Sequence, residues 1–152
     1  MHSTAPAMSL VPHADVRLLG DLAWMLQSLH EEETILQASV DLLLARLDLK
    51  AGWIFLADPP GGGMRLAACR GVDESFGATV KQVDAGSCLC TDVLDSGRPM
   101  VARNTTDCPR MPGIVQGTEI LSHACIPLKF ERGVLGVMNI AARSAGIFSE
   151  DE

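Results

Sequence analysis

The spacing of apolar residues changes once along this chain, near residue 50, and that change dictates a fold of helices followed by strands. Between Val16 and His30, the residues Leu18, Leu19, Leu22, Trp24, Met25, Leu26 and Leu29 recur every three or four places, as on a helix, with Asp15 placed to cap it. Ile35, Leu36, Val40, Leu43, Leu44 and Leu47 repeat the pattern from Glu33 to Leu47, and acids in that helix's first turn suit the positive end of its dipole. The first stripe is wider than one core contact needs, which leaves room for a partner helix. From Ala51 onward the apolar residues run in short blocks instead. AGWIFLAD (51–58) and MRLAACRG (64–71) read as two strands joined through the turn cluster PPGGG. ILSHACIPLKF (120–130) and GVLGVMNIAAR (133–143) form a second hairpin about Glu131 and Arg132, and Pro127 demands an edge position or a bulge. Between the hairpins, residues 72–86 are expected to hold a short helix. TDVLDS (91–96) predicts another, stopping at Gly97, and PMVARN (99–104) predicts a strand.

At 152 residues the chain has the length of one domain, and with 47% hydrophobic and 20% charged residues it can bury a core. The net charge is −7 with no basic stripe, which argues against a nucleic-acid partner. No apolar run approaches the roughly 18 residues of a membrane span. The N-terminal stretch lacks the charged and apolar regions of a secretory signal, so residues 1–14 read as a disordered leader and the expected location is cytoplasmic. At the other end, Ser149 stands three residues before Glu152, the spacing of a capping box. The expectation is a domain over 15–152 that stops where a C-terminal helix begins, with an output domain beyond it.

Five cysteines are the chemical signal. GSCLCTDVLDSGRP carries Cys88 and Cys90, NTTDCPRM carries Cys108, and Cys69 and Cys125 lie in strands. An odd count without an export signal argues against a disulfide framework and toward soft-metal or redox chemistry. Cys88 and Cys90, one residue apart, project to one side in extended backbone and can converge in a turn. His123 and Cys125, two apart on a strand, face one side of the sheet. Each thiol alone is more often a small apolar packing group than a ligand, Cys69 and Cys125 especially so among small neighbours. A lone histidine such as His123 ordinarily bonds a backbone carbonyl. The CxxCH signature of covalently attached haem is absent, while axial haem ligation through His123 stays open.

The order of elements, with GSCLCTDVLDSGRPMVARNTTDCPRM and IPLKFERGVLGVMNIAARSAGIFSEDE, resembles the GAF domain over about residues 16–152. In place of the family's DPR-like loop stands DCPR, with Cys108 between Asp107 and Pro109. The resemblance implies an α+β fold: a six-stranded antiparallel sheet, N- and C-terminal helices on one face, and a ligand pocket on the other beneath residues 72–119. It implies a sensory module of a signalling protein such as a two-component sensor kinase, relaying its state through flanking helices. A homodimer through the terminal helices, with Trp24 and Leu29 near the interface, and a kinase-like output domain in the same polypeptide are the expected partners. The cofactor expected is a redox- or gas-responsive iron–sulfur cluster held by Cys88, Cys90, Cys108 and Cys125. His123 would lie nearby and Cys69 is an alternative fourth ligand; zinc and haem rank below. The domain itself is expected not to be an enzyme. The competing reading is a thiol enzyme similar to the free-methionine-(R)-sulfoxide reductases, with Cys108 as nucleophile beside Arg110. Cys88 or Cys90 would then be the resolving thiol, with Asp107 and Glu119 as nearby carboxylates. A third reading is a GAF domain binding some other small molecule.

Overall fold

The computed structural model describes residues 13–28, 30–58, 63–72, 88–108 and 119–148. Helix α1 (His13–Ser28) leads into α2 (Glu32–Leu47), and strands β1 (Ala51–Ala57) and β2 (Met64–Arg70) form the first hairpin. Helix α3 (Leu89–Ser96), strand β3 (Met100–Ala102) and a 3-10 turn (Thr105–Asp107) follow, then β4 (Ser122–Phe130) and β5 (Gly133–Ala142). The change of period at residue 50 is thus the change from helix to sheet. Helix α1 begins at His13, so Asp15 lies inside it rather than capping it. The expected strand over 99–104 is only three residues long, because Arg103 and Asn104 turn into the 3-10 segment. The short helix expected within 72–86 and the C-terminal capping box fall at residues largely outside those described.

The sheet is antiparallel with order β2-β1-β5-β4-β3, five strands among the described residues rather than six. The longest strand, β5, lies at its centre, between β1 and β4. Pro127 sits where its missing N–H does no harm: β3 pairs only as far as Cys125, so among the described residues Pro127 has no neighbour on that side. The β4–β5 register shifts one residue later, between Leu128 and Lys129. Glu131 takes up the hairpin's positive φ of 53°.

Alternation along the strands sends side chains into two separate cores. On one face Ile54, Ala68, Ala124, Met138 and Ile140 pack with Val40 and Leu44 of α2. On the other, Trp53, Phe55, Cys125, Val137 and Ala141 pack with Cys90 and Val93 of α3. Helix α2 is held down by polar ties to β2: Arg70 reaches Asp41 at 2.6 and 2.7 Å, and Arg65 reaches Glu32 at 2.8 Å. The guanidinium of Arg70 holds the Asp41 carboxyl below the usual carboxylate range. Helix α1 touches α2, with an Asp21–Arg46 ion pair between them. Its wide apolar stripe is only partly used: Met25 is buried, whereas Val16, Leu19, Leu26 and Trp24 remain exposed, Trp24 by 73%.

Candidate functional site: a buried row of thiols

Helix α3 brings two cysteines to the sheet. Its N-cap residue is Cys88, in extended backbone, whose carbonyl accepts from Thr91 N–H at 2.9 Å; Cys90 occupies the first turn. Gly97 ends the helix after two turns with a φ of 64°, its N–H bonded to Val93 carbonyl at 2.8 Å. Val93, fully buried, anchors the helix against the sheet. Beneath it, Cys125 stands opposite Asn139 across β4 and β5.

Asn139 gathers two of the thiols. Cys125 donates to its Oδ1 over 3.0 Å and Cys90 donates to the same oxygen over 3.3 Å, leaving the two sulfurs 4.0 Å apart. Beyond this pair, Cys88 lies near enough to Cys90 and to Cys108, and Cys108 to His123, for each to influence its neighbour's protonation. His123 also lies against Trp53, with ring centroids 6.2 Å apart and planes tilted by 33°. The result is a row, Asn139–Cys125–Cys90–Cys88–Cys108–His123, beneath α3. Relative exposures along it are 0, 0, 3, 8, 1 and 1%. Three side-chain atoms at this site, Asn139 Nδ2, His123 Nδ1 and Thr91 Oγ1, are buried with no hydrogen-bond partner.

Burial and their thiol neighbours raise the pKa values of Cys88, Cys90 and Cys108. Cys90 is pushed well above the ordinary thiol range, first by its bond with Cys125 and then by desolvation. Cys108 rises to about 11, chiefly through Cys88 and burial, which outweigh the opposing effect of His123. For Cys88 the largest single influence, the bond with Cys108, lowers the pKa, but Cys90 and desolvation together lift it above the ordinary value.

Cys69 stands apart from the row. The register runs Cys69, Trp53, Asn139, Cys125, Met100 straight across the sheet, placing three strand spacings, about 14 Å, between Cys69 and Cys125. Cys69 is instead tied to α2 through its backbone: Gln37 Nε2 donates to its carbonyl at 3.0 Å and Gln37 Oε1 accepts its N–H at 3.3 Å. The two carboxylates considered for a thiol enzyme are also engaged elsewhere. Asp107 caps the N–H of Asn104 at 2.9 Å, and Glu119 pairs with Arg143 at 2.9 Å on the surface. Arg110 lies outside the described residues.

The donors suit a soft metal chemically. Cys90 and Cys125 stand 4.0 Å apart, and among the described residues no three His, Cys, Asp or Glu side chains are grouped so as to hold a metal ion.

The family model for the GAF domain matches residues 30–152. The chain belongs to the GAF domain family. It is 28% identical over 151 residues to the sensor histidine kinase YhcY of Bacillus subtilis (strain 168), covering 95% of this chain and 40% of that protein. The chain therefore spans less than half the length of this relative. Among solved structures, the GAF domain of a phosphoenolpyruvate-protein phosphotransferase from Coxiella burnetii superposes with a TM-score of 0.75 at 20% identity, covering 91% of this chain and 84% of that one. The free methionine-R-sulfoxide reductase of Neisseria meningitidis, solved with its substrate, superposes with a TM-score of 0.73 at 16% identity, covering 99% and 86%. At these identities the likenesses speak for the GAF fold alone. No helix among the described residues is long and apolar enough to cross a membrane.

Asn139, Trp53 and Thr91 join the site through the fold. Asn139 had a signal: it is the one polar residue in the strand GVLGVMNIAA, where an unpaired amide would be costly. Trp53 and Thr91 had none, since an aromatic in a strand and a threonine in a short helix are ordinary.

Proposed function

We propose that this GAF domain is the sensory module of a sensor kinase and that the buried thiol row is its sensing element, responding to oxidants through the sulfurs themselves. The observation that carries this reading is the pair Cys90 and Cys125, held 4.0 Å apart by one shared acceptor, Asn139. Support for the signalling context comes from the likeness to a sensor histidine kinase over nearly the whole chain. The thiol-only reading replaces the iron–sulfur cluster and zinc, whose ligand spheres the sulfur arrangement does not favour. It also stands ahead of the sulfoxide reductase, which needs a low-pKa nucleophile where Cys108 is raised to about 11.

The pleat of the sheet supplies the route outward. Asn139 faces the thiols while its neighbours Met138 and Ile140 face α2; Cys125 likewise alternates with Ala124. A change in the thiols displaces residues whose neighbours form the seat of α2. Helix α1, resting on α2 with Val16, Leu19, Trp24 and Leu26 exposed, is the surface through which a second copy would be engaged and the output domain biased.

The test is to purify the protein without oxygen, measure iron and sulfide, and count free thiols before and after hydrogen peroxide. The reading expects colourless protein whose thiol count falls with peroxide and recovers with a dithiol reductant. Stoichiometric iron and sulfide would replace it with the cluster; a thiol count indifferent to peroxide would end it.

A further inference from the structure

Resting on the thiol-sensing reading above, we infer that Cys88 is where an oxidant attacks and that a Cys90–Cys125 disulfide is where the oxidised state is stored. The row is graded in exposure: Cys88, at 8%, is its most exposed residue, whereas Cys90, Cys108 and Cys125 are 3%, 1% and 0% exposed. Cys90 is fixed by the first turn of α3, and Cys125 by ladder partners on both sides, Met100 and Asn139. A bond between these two needs their sulfurs to close from 4.0 Å to about 2.05 Å, within reach of side-chain rotation and a small shift of α3. Once formed, it lies deeper than any bond involving Cys88, so a dithiol reductant reverses it more slowly than it would reverse that bond.

The chemistry balances with one hydroperoxide. The deprotonated fraction of Cys88, small because its pKa is raised, attacks the peroxide as thiolate; the O–O bond breaks, an S–O bond forms, and the proton given up by the thiol ends on the departing alcohol or water, giving a sulfenic acid. Cys90 sulfur displaces the hydroxyl, forming a Cys88–Cys90 disulfide and releasing water that carries the Cys90 proton. Cys125 then attacks Cys90 sulfur: the Cys90–Cys125 bond forms, the Cys88–Cys90 bond breaks, and the Cys125 proton ends on Cys88. Two thiols are oxidised, one peroxide is reduced, and Cys88 is regenerated as a thiol.

The stored bond has a structural consequence. Both protons that Asn139 Oδ1 accepts are removed, and its Nδ2 already has no partner. A buried amide at the centre of the sheet is left without a single hydrogen bond, and α3, tethered through Cys90, is the element free to respond.

The sequence makes the pairing easy to read. Trypsin places Cys88 and Cys90 on peptide 82–103, Cys108 on 104–110, and Cys125 on 111–129. The full chain is treated with equimolar hydrogen peroxide, alkylated under denaturing conditions and mapped without reduction. The expected product joins 82–103 to 111–129, with fragmentation placing the bond at Cys90. A link from 82–103 to 104–110 overturns the proposed store while leaving thiol sensing intact. No link and no loss of thiols overturns both. Dimedone present during the reaction traps the first intermediate in the wild-type protein: label on Cys88 supports the point of attack, and label on another cysteine overturns it. Cys88→Ser should form the Cys90–Cys125 link about tenfold more slowly, and an unchanged rate contradicts the role given to Cys88.

Discussion

Cys125 and Asn139 stand directly opposite each other on β4 and β5, and the thiol donates to the amide oxygen over 3.0 Å in a fully buried setting. Removing the amide tests what it contributes. Asn139→Ala opens a cavity and strands two thiols, and should lower the unfolding free energy by about 2–3 kcal/mol. Asn139→Leu fills the space and removes an amide nitrogen that has no partner, so its cost should stay within about 1 kcal/mol. Urea denaturation of both variants separates the two contributions.

The raised thiols make stability depend on alkali. Cys108, beside Cys88 and His123, holds its proton up to about pH 11 when folded, but releases it near 8.5 when unfolded. Between those values the folded state binds more protons than the unfolded state, so stability is full below pH 8.5 and falls as pH rises toward 11. The loss should be on the order of 1–2 kcal/mol. Cys88 and Cys90, shifted in the same direction, add to the slope. Urea midpoints measured from pH 7 to 10.5 should decline, and Cys108→Ala should flatten the curve.

Two glycines with similar backbone angles should behave differently. A Cβ at Gly71, φ 73°, would stand 1.6 Å from the carbonyl oxygen of Lys50 where β1 begins, whereas one at Gly146, φ 68°, meets nothing within 4 Å. Gly71→Ala combines strain with a backbone clash and should cost about 3 kcal/mol or more, while Gly146→Ala carries only the left-handed penalty of about 1–2 kcal/mol. Thermal denaturation should rank them in that order.

The two tryptophans report on different parts of the molecule. Trp53 is 3% exposed beside His123, and Trp24 is 73% exposed on α1. If α1 engages a second copy, iodide quenching of Trp24 should weaken as protein concentration rises, with Trp53→Phe isolating the signal. Quenching independent of concentration would argue against a dimer through this helix.

The fold was legible wherever one period dominated. Leu36, Val40, Leu43 and Leu44 announce α2, and the short apolar block GVLGVMNIAA announces β5. Gly97 marked the end of α3 because a helix stop of this kind favours a residue free to adopt positive φ. The strand expected at PMVARN came out at half its length, since the capping box between Asn104 and Asp107 competes with continued pairing. At the site, residue types were readable but distances were not. Cys69 and Cys125 looked alike in sequence, both mid-strand among small residues. Only the register sets Cys69 three strands away and brings Cys125 against Cys90. The binding partner that organises the thiols, Asn139, offered nothing in sequence but its polarity.

Amide hydrogen exchange on reduced and peroxide-treated protein tests most directly whether the thiol row is a sensing element connected to the helical face. The account expects altered protection in α3 and around Cys125 and Asn139, extending to α2, reversed by dithiol reduction and lost in Cys125→Ala. Identical exchange in the two states, with the thiols oxidised, would contradict it: the sulfurs would then be packing groups that happen to react.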